Sequence, residues 1–463
     1  MTDIIHVMKL NVFLSVLFCK LSCYLLRLLK KGGTALPGKI ALFLCKDILS
    51  HVSKNVKVII VTGTNGKTTT SRIIEQGFIE ADLKYFTNKS GANLLSGVVT
   101  SFCINSNLKG INKYQYAVIE CDEAALNQVT NFISPQTILV TNIFRDQLDR
   151  YGEISHTLNL IAKGINNCKD VTICINADCS LCTYLINLTL KKTILYGINT
   201  YIYDNLAKEP KDALYCLKCR HPYEYDYITY AHLGGFKCTN CDYRRINPEI
   251  CVTDILNINE SGSNVVLKIF DKSYEIRVNL PGAHNIYNAT AAACALHSIQ
   301  VEDKFILSSI SNFQSGFGRM EKIFINSIPV NIILVKNPAG FNQILNYFSI
   351  IDKPFVHVIM LNDLSADGTD VSWIYDVSFN KLLNISKMLK HIYIGGKRAY
   401  DMALRLKYEG FDMSMVSIEQ DNEKLINVAL NHNVPVYITP TYTAMFELRN
   451  MLVKKYGLKE FYE

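Results

Sequence analysis

Residues 56–70 read VKVIIVTGTNGKTTT, an apolar, β-branched run that breaks into a glycine turn and closes on Lys-Thr-Thr. Helix-compatible sequence follows. The order predicts a strand, a phosphate-cradling loop and a helix N-terminus, where free backbone N–H groups and the helix dipole favour an anion. Lys67 can reach phosphate oxygens, and the Thr68 hydroxyl can sit on Mg²⁺. A general P-loop has a glycine five positions before Gly66. Here that position is Val61, so the loop is a variant whose glycines are Gly63 and Gly66.

The flanking sequence alternates short apolar runs with helical stretches. YAVIE at 116–120, a run at 137–142 and another at 171–176 read as strands. Such alternation predicts an α/β fold, a mostly parallel sheet covered by helices, with ligands at the carboxyl ends of strands. The phosphate loop lies at one such end, and so do Glu120 and Asn142. Glu120 is placed to bind Mg²⁺ directly or through water. Its plainer reading is a solvated acid at a strand end. Asp122 and Glu123 add nearby charge in a supporting role. The charged segment TNIFRDQLDRYGE at 141–153 reads either as a loop ordered by ion pairs or as a helper in holding metal and phosphate.

Cys216-x-x-Cys219 and Cys238-x-x-Cys241, eighteen residues apart, form the second strong pattern. Two knuckles at this separation read as one tetrahedral Zn²⁺ site. Four thiolates leave no open coordination position, so the zinc is structural. Tyr223, Tyr225, Tyr227 and Tyr230 fill the intervening loop. The basic residues nearby do not form the stripe that nucleic-acid binding asks for, and no nucleic-acid partner is expected.

Downstream, LPGAHNIYNATAAACA at 280–295 ends a strand and opens a small-residue helix, in which Asn288 either caps or meets an adenine ring. The segment GFGRME at 316–321 supplies a glycine hinge, and Arg319 a guanidinium fork for phosphate. A second, smaller, Rossmann-like α/β domain follows. It carries Asp363, Asp367, Asp370 and Asp376 around the only tryptophan, Trp373. The expected division is a helical segment over 1–50, an ATP-binding domain over 51–322 with a zinc-ribbon insert at about 213–246, and a C-terminal domain over 323–463.

At 463 residues the chain is long enough for such domains. With 49% hydrophobic and 19% charged residues it is globular, not disordered. A formal charge of +7 suits acidic ligands or an anionic membrane face without demanding nucleic acid. Fifteen irregularly spaced cysteines beside a nucleotide loop fit reduced thiols in the cytoplasm, not a disulfide scaffold. Near the N-terminus, residues 10–19 are apolar, but Lys20 and Arg27 interrupt the run short of the ~20 apolar residues a spanning helix needs. A helix over about 9–30 is expected. Packing on the phosphate-loop domain ranks first, contact with a membrane surface second and a signal sequence third.

Taken together, GTNGKTTT, the acid after the next strand, TN-x-x-RDQLDRYGE, NIYNATAA, GRME and the KNPAG turn at 336–340 resemble the central and C-terminal domains of Mur ligases, which form amide bonds with ATP in cell-wall synthesis. The Cys₄ insert, ADGTDVSWIYD at 366–376 and the closing TYTAM-x-x-LR narrow the resemblance to the MurT branch, the ligase-like subunits of lipid II isoglutaminyl synthases. The resemblance implies that Gly63, Thr64, Asn65, Gly66, Lys67, Thr68 and Thr69 hold the ATP phosphates. It further implies that Thr68 and Glu120 carry Mg²⁺, that Asn288 meets the adenine and that Arg319 meets the phosphates. Two departures from the wider family stand out. The usual Asp-His after the third strand is Asp146-Gln147, and only some fifty residues precede the phosphate loop, where a UDP-sugar domain would sit.

The implied reaction is peptidoglycan chemistry: activation of the α-carboxyl of D-glutamate in a lipid II stem peptide as an acyl phosphate, then amidation to D-isoglutamine. Lys67, with Mg²⁺, would neutralise the developing charge. No cysteine sits in a glutaminase-type elbow, so the resemblance implies a separate GatD-type glutamine amidotransferase as the heterodimer partner, bound through the C-terminal domain. Asp370 would complete that partner's triad by orienting its histidine. Without the resemblance, Asp370 reads as a turn cap near Trp373. The expected location is cytoplasmic, with peripheral contact at the inner face of the membrane as an option. Two alternatives stand beside this reading: a folylpolyglutamate-like amino-acid ligase, and a zinc-ribbon P-loop ATPase acting on nucleic acid.

Overall fold

A nine-stranded sheet carries the nucleotide loop. In the computed structural model, which describes residues 2–28, 35–88, 92–144, 154–202, 212–314, 319–385 and 387–457, its strands are β1 (Lys57–Thr62), β2 (Tyr85–Thr87), β3 (Tyr116–Glu120), β4 (Thr137–Val140), β5 (Thr172–Asn176), β6 (Lys192–Ile198), β9 (Ile250–Asn259), β10 (Gly262–Ile269) and β11 (Lys272–Val278). The order is β11-β10-β9-β6-β5-β4-β1-β3-β2. From β2 to β9 neighbours run parallel, and β9-β10-β11 form an antiparallel edge. Connections leave β1 toward β3 on one side and β4 on the other. Sheets of this type bind ligands at that switch point, beyond the strands' carboxyl ends.

The sequence explains the layering. Val58, Ile59, Ile60 and Val61 are buried on both faces of β1, as a central parallel strand requires. Helix α4 (Lys67–Glu80) leaves the loop and packs against the Ala283–Ser298 helix. That helix buries a run of alanines, and its Leu296 reaches so close to Gly77 that a Cβ there would lie 2.5 Å from Leu296 Cδ1. At the N-terminus, α1 (Thr2–Leu28) packs with α2 (Ala35–Leu44) and α5 (Leu95–Asn105), and a short α3 (Ile48–Val52) leads to β1.

Between β6 and β9 a separate hairpin, β7 (Tyr223–Tyr230) with β8 (Leu233–Cys238), carries the cysteine knuckles. The last part of the chain forms a six-stranded sheet, β12-β13-β17-β14-β15-β16, from β12 (Arg319–Ile325), β13 (Ile328–Ile333), β14 (Phe355–Met360), β15 (Leu389–Gly395), β16 (Val416–Ile418) and β17 (Val436–Pro440). One face is filled by Phe341, Phe348 and Leu406, the other by Val356, Leu425 and Leu448. Lys322 falls inside β12, which pairs antiparallel with β13, so this sheet begins at Arg319. The Arg449 guanidinium on the Tyr442–Tyr456 helix pairs with Glu321 at 3.0 Å and fastens that first strand to the last helix.

Candidate functional site

Gly63 and Gly66 hold the loop after β1 in left-handed backbone, with φ of +114° and +86°. Both also allow close approach. A Cβ on Gly63 would meet Thr141 Oγ1 at 2.4 Å, and one on Gly66 would meet Asn288 Oδ1 at 2.2 Å. Gly66 is the residue before α4 and offers no side-chain cap. The first-turn N–H groups of α4 therefore keep their affinity for an anion.

The loop is braced from three directions. Asn65 N–H donates to Asn142 Oδ1 at 2.9 Å, and Asn142 Nδ2 donates back to Asn65 O at 3.1 Å. Thr70 Oγ1 donates to Asn288 Oδ1 at 3.3 Å, while Asn288 Nδ2 reaches Asn285 Oδ1 at 3.1 Å. From the other domain, Asn337 Nδ2 donates to Asn65 Oδ1 at 3.1 Å. Asn337 also caps the Pro338–Phe348 helix by accepting from Gly340 N–H at 2.8 Å.

Charge is distributed with equal care. The Lys67 ammonium donates to Gly63 O and lies 3.3 Å from Glu123 Oε2. Burial pushes the Glu123 carboxyl up, but the ammonium groups of Lys67 and Lys336 outweigh it and hold it below the ordinary value. Glu123 thus holds Lys67 as a buried ion pair. Thr68 Oγ1 donates to Glu120 Oε2 at 2.9 Å. Glu120 is itself fixed by Asn88, which accepts from its N–H at 2.8 Å and donates to its O at 2.7 Å. A hydroxyl and a carboxylate side by side at the loop are hard oxygen donors of the kind Mg²⁺ takes.

The glycine loop borders a cleft of about 780 Å³, open mouth included, between the two sheets. Asn65, Thr69 and Asn288 line it from the loop side, Lys336 and Gln343 from the C-terminal domain, and Tyr230 from the knuckle hairpin. Glu120 lies opposite Thr68, as the sequence suggests, while Lys67 pairs with Glu123. Asn288 lines the cleft and also braces the loop. The backbone of Arg319 lies in β12; its side chain lies outside the described residues, as do Gly316, Gly318, Asp146 and Gln147. Sequence assigns no site role to Tyr230, Lys336 or Asn337; the aromatic filling around the knuckles and the KNPAG turn were the only hints of them.

The cysteines converge. Cys216 Sγ lies 3.6 Å from Cys241 Sγ and Cys219 Sγ 3.4 Å from Cys238 Sγ, and all four sulfurs lie within 4.8 Å of one another. Bonds of about 2.3 Å at a tetrahedral centre need sulfurs about 3.8 Å apart, so the donor set fits Zn²⁺. The knuckle is tied to the nucleotide side by a buried chain. Arg245, just past Cys241, reaches Asp178 Oδ1 at 2.5 Å, and Asp178 Oδ2 accepts from Tyr287 Oη at 2.5 Å. Tyr287 is the neighbour of Asn288.

In the C-terminal domain the four aspartates part company, with Asp376 exposed at the end of the Ser372–Asp376 turn. Asp363 pairs with Arg398 at 3.0 Å, and Asp367 accepts from Thr443 N–H at 2.7 Å, capping the Tyr442–Tyr456 helix. Asp370 is exposed and accepts a local bond from Ser372 N–H at 2.8 Å; the Ser372 hydroxyl first and its N–H second hold the carboxyl below the usual range.

Known proteins agree with this architecture. The family model for the Mur ligase middle domain matches residues 61–241, and that for the MurT ligase C-terminal domain matches residues 334–445. The MurT subunit of the glutamine-hydrolysing lipid II isoglutaminyl synthase of Streptococcus pneumoniae strain R6 is 32% identical over 456 residues, covering 97% of this chain and 98% of its own length. Among solved structures, the type C pseudomurein peptide ligase of Methanothermus fervidus aligns with a TM-score of 0.66 at 20% identity, over 89% of this chain and 81% of that one. Folylpolyglutamate synthase of Mycobacterium tuberculosis complexed with ADP aligns with a TM-score of 0.61 at 14% identity, over 94% and 98%.

Proposed function

Because the chain belongs to the Mur ligase family, in its MurT branch, we propose that it is the ligase half of an enzyme that amidates the D-glutamate of the lipid II stem peptide. It is an ATP-dependent ligase of the MurT type. The observation that carries the site assignment is the glycine loop, whose Asn65, Gly66 and Thr69 line a cleft facing the C-terminal domain, with the Lys67–Glu123 ion pair and the Thr68–Glu120 hydroxyl–carboxylate pair anchored on the adjoining turn of the same loop and helix.

Each group has a part. The backbone N–H groups of residues 63–69 and the Lys67 ammonium hold the ATP phosphates, with Glu123 keeping Lys67 charged and aimed. Thr68 and Glu120 would hold Mg²⁺, which would supply charge neutralisation for the phosphates. The substrate carboxylate oxygen takes the γ-phosphoryl group as the bond to the β-phosphate oxygen breaks, leaving ADP and an acyl phosphate. Ammonia then attacks the acyl carbon, phosphate leaves with the C–O electron pair, and loss of a proton gives the amide. Fixed dipoles and charges of this kind stabilise such transition states without reorganising. Asn288 and Arg319 are assigned to the nucleotide at the base and phosphate ends, and the four cysteines to a structural zinc.

Ammonia is mostly protonated at neutral pH, and the protonated form does not attack. A GatD-type glutaminase bound to the C-terminal domain supplies it in this reading. Asp370 is the carboxylate offered to that partner's histidine. Its exposure supports the role, since the other two aspartates with known contacts are spent on Arg398 and on a helix cap. The enzyme works at the inner face of the membrane, where its lipid-linked substrate is. The test is incubation of the co-purified pair with lipid II, ATP and glutamine. Loss of mass matching exchange of –OH for –NH₂ is expected. An unchanged lipid II with both glutamine and ammonium as nitrogen source would overturn the assignment.

A further inference from the structure

Helix α1 is apolar on two sides, and the fold uses only one of them. Val12, Ser15, Val16 and Cys19 are buried where α1 packs with α2 and α5. Lys20 Nζ fastens that side by donating to Ile104 O at 3.0 Å and to Ser106 O. On the other side Leu10, Phe13, Leu17, Leu21, Tyr24 and Leu28 follow one another at intervals of three and four residues, one stripe of a helix. All six are exposed, from 36% at Leu17 to 63% at Leu28. Helix α2 continues the surface. Leu36 and Phe43 are exposed, Phe43 at 87%, and a groove lined by Phe18, Lys39, Ile40 and Phe43 joins the two helices.

The charge around this stripe is of one sign. From Ile4 to Lys46 the sequence holds seven lysines and arginines and no aspartate or glutamate. Arg27, Lys39 and Lys46 are exposed in the helices or directly after them. An apolar stripe flanked by unopposed cations is the chemistry of a helix lying in the headgroup region of an anionic bilayer.

We infer that the α1–α2 face is a docking surface for an anionic lipid bilayer, lying in the plane of the membrane; the inference rests on the reading that the substrate is lipid-linked. The segment Leu10–Leu28 is long and apolar enough to cross a membrane by length and composition. Crossing would carry the Lys20 ammonium into hydrocarbon and strip Val12, Val16 and Cys19 from their packing. An in-plane helix keeps both. A protein partner or a second copy would need acidic groups to meet the cations, and the stripe has none of its own to offer.

The test is flotation of the full chain, in complex with its glutaminase, with vesicles of phosphatidylcholine alone or mixed with phosphatidylglycerol, all lacking lipid II. The complex is expected to float with the anionic vesicles. Leu17→Gln/Leu21→Gln/Phe43→Ser, which touches only exposed positions, is expected to lower binding about tenfold or more while circular dichroism stays unchanged. Arg27→Gln/Lys39→Gln is expected to lose about fivefold per charge at low salt, and the difference is expected to close at high salt. Amidation of detergent-solubilised lipid II by these variants is expected to match wild type. Equal flotation of wild type and the triple variant would overturn the inference. So would retention of the chain in membranes after alkaline carbonate washing, which marks a spanning helix. A dimer of complexes in lipid-free solution that the triple variant dissociates would overturn it too, because a second copy would then cover the stripe. Flotation without any amidation would uphold the surface and sink the functional reading alone.

Discussion

Lys67 and Asp370 are both charged residues in segments that follow a parallel strand, β1 and β14 respectively, and the chain treats them in opposite ways. Lys67 is buried and held by Gly63 O and Glu123. Asp370 is exposed and held by Ser372, two residues away. The difference teaches how to separate a residue that works inside its own chain from one offered to another. The first is preorganised by its own fold. The second is left with a free approach and a short local tether, and its remaining environment must come from outside.

The sharpest way to break this comparison is to mutate both residues and vary the nitrogen source. Asp370→Asn is expected to cut glutamine-driven amidation by about 10⁴-fold, as loss of an orienting carboxylate in a triad does. With ammonium salts it should run near the wild-type rate. Full glutaminase activity in this variant would end the contrast. Lys67→Ala is expected to lose about 10²–10³-fold or more with either nitrogen source, because the loss lies in phosphoryl transfer. Rescue of Lys67→Ala by ammonium would place its role elsewhere.

A middle-sized effect is expected at the knuckle. Cys216→Ser should remove the bound zinc, read by metal analysis. Through Arg245, Asp178 and Tyr287 it should also weaken nucleotide binding by about tenfold, read with a fluorescent ATP analogue. Unchanged nucleotide affinity in a zinc-free variant would separate the insert from the cleft.

The smallest effect concerns Glu75 on α4, a half-buried acid. Burial raises its pKa to about 7, with the charge on Glu120 adding to the rise against Arg72 and Thr87. A raised carboxyl favours the folded state most when protonated. Stability from this group is therefore fully present below about pH 4.5 and is lost as pH rises through about 7. Glu75→Gln should flatten the stability curve over that window and be more stable than wild type at pH 8 by about 1–3 kcal/mol. A parallel curve for both proteins would show that Glu75 is not held neutral.

What the sequence made legible was local. The glycine loop, Lys67, Thr68 and the acid at the end of β3 lie in two short windows whose residue types announce their chemistry, and the Cys₄ spacing did the same for zinc. What stayed hidden was paired across long stretches of chain. Nothing near Asn337 indicates that it meets Asn65, and nothing near Tyr230 indicates that a zinc hairpin reaches a nucleotide cleft. Asp178, Arg245 and Tyr287 look ordinary one by one, and only the fold stacks them into a buried chain. The start of the second sheet was blurred for a similar reason. The glycines of the expected hinge lie outside the described residues, and from Arg319 the backbone turns through Met320 at φ +64° and a bulge into the antiparallel edge strand β12.

The amide-to-amide bond between Asn65 and Asn337 has a thermodynamic meaning. It ties the loop, through a residue that lines the cleft, to the C-terminal domain. A neutral hydrogen bond of this kind is worth only about 1 kcal/mol net. A bond of that strength favours the joined arrangement over the parted one by only about fivefold. The link between the domains therefore yields to any ligand that replaces its one bond with several.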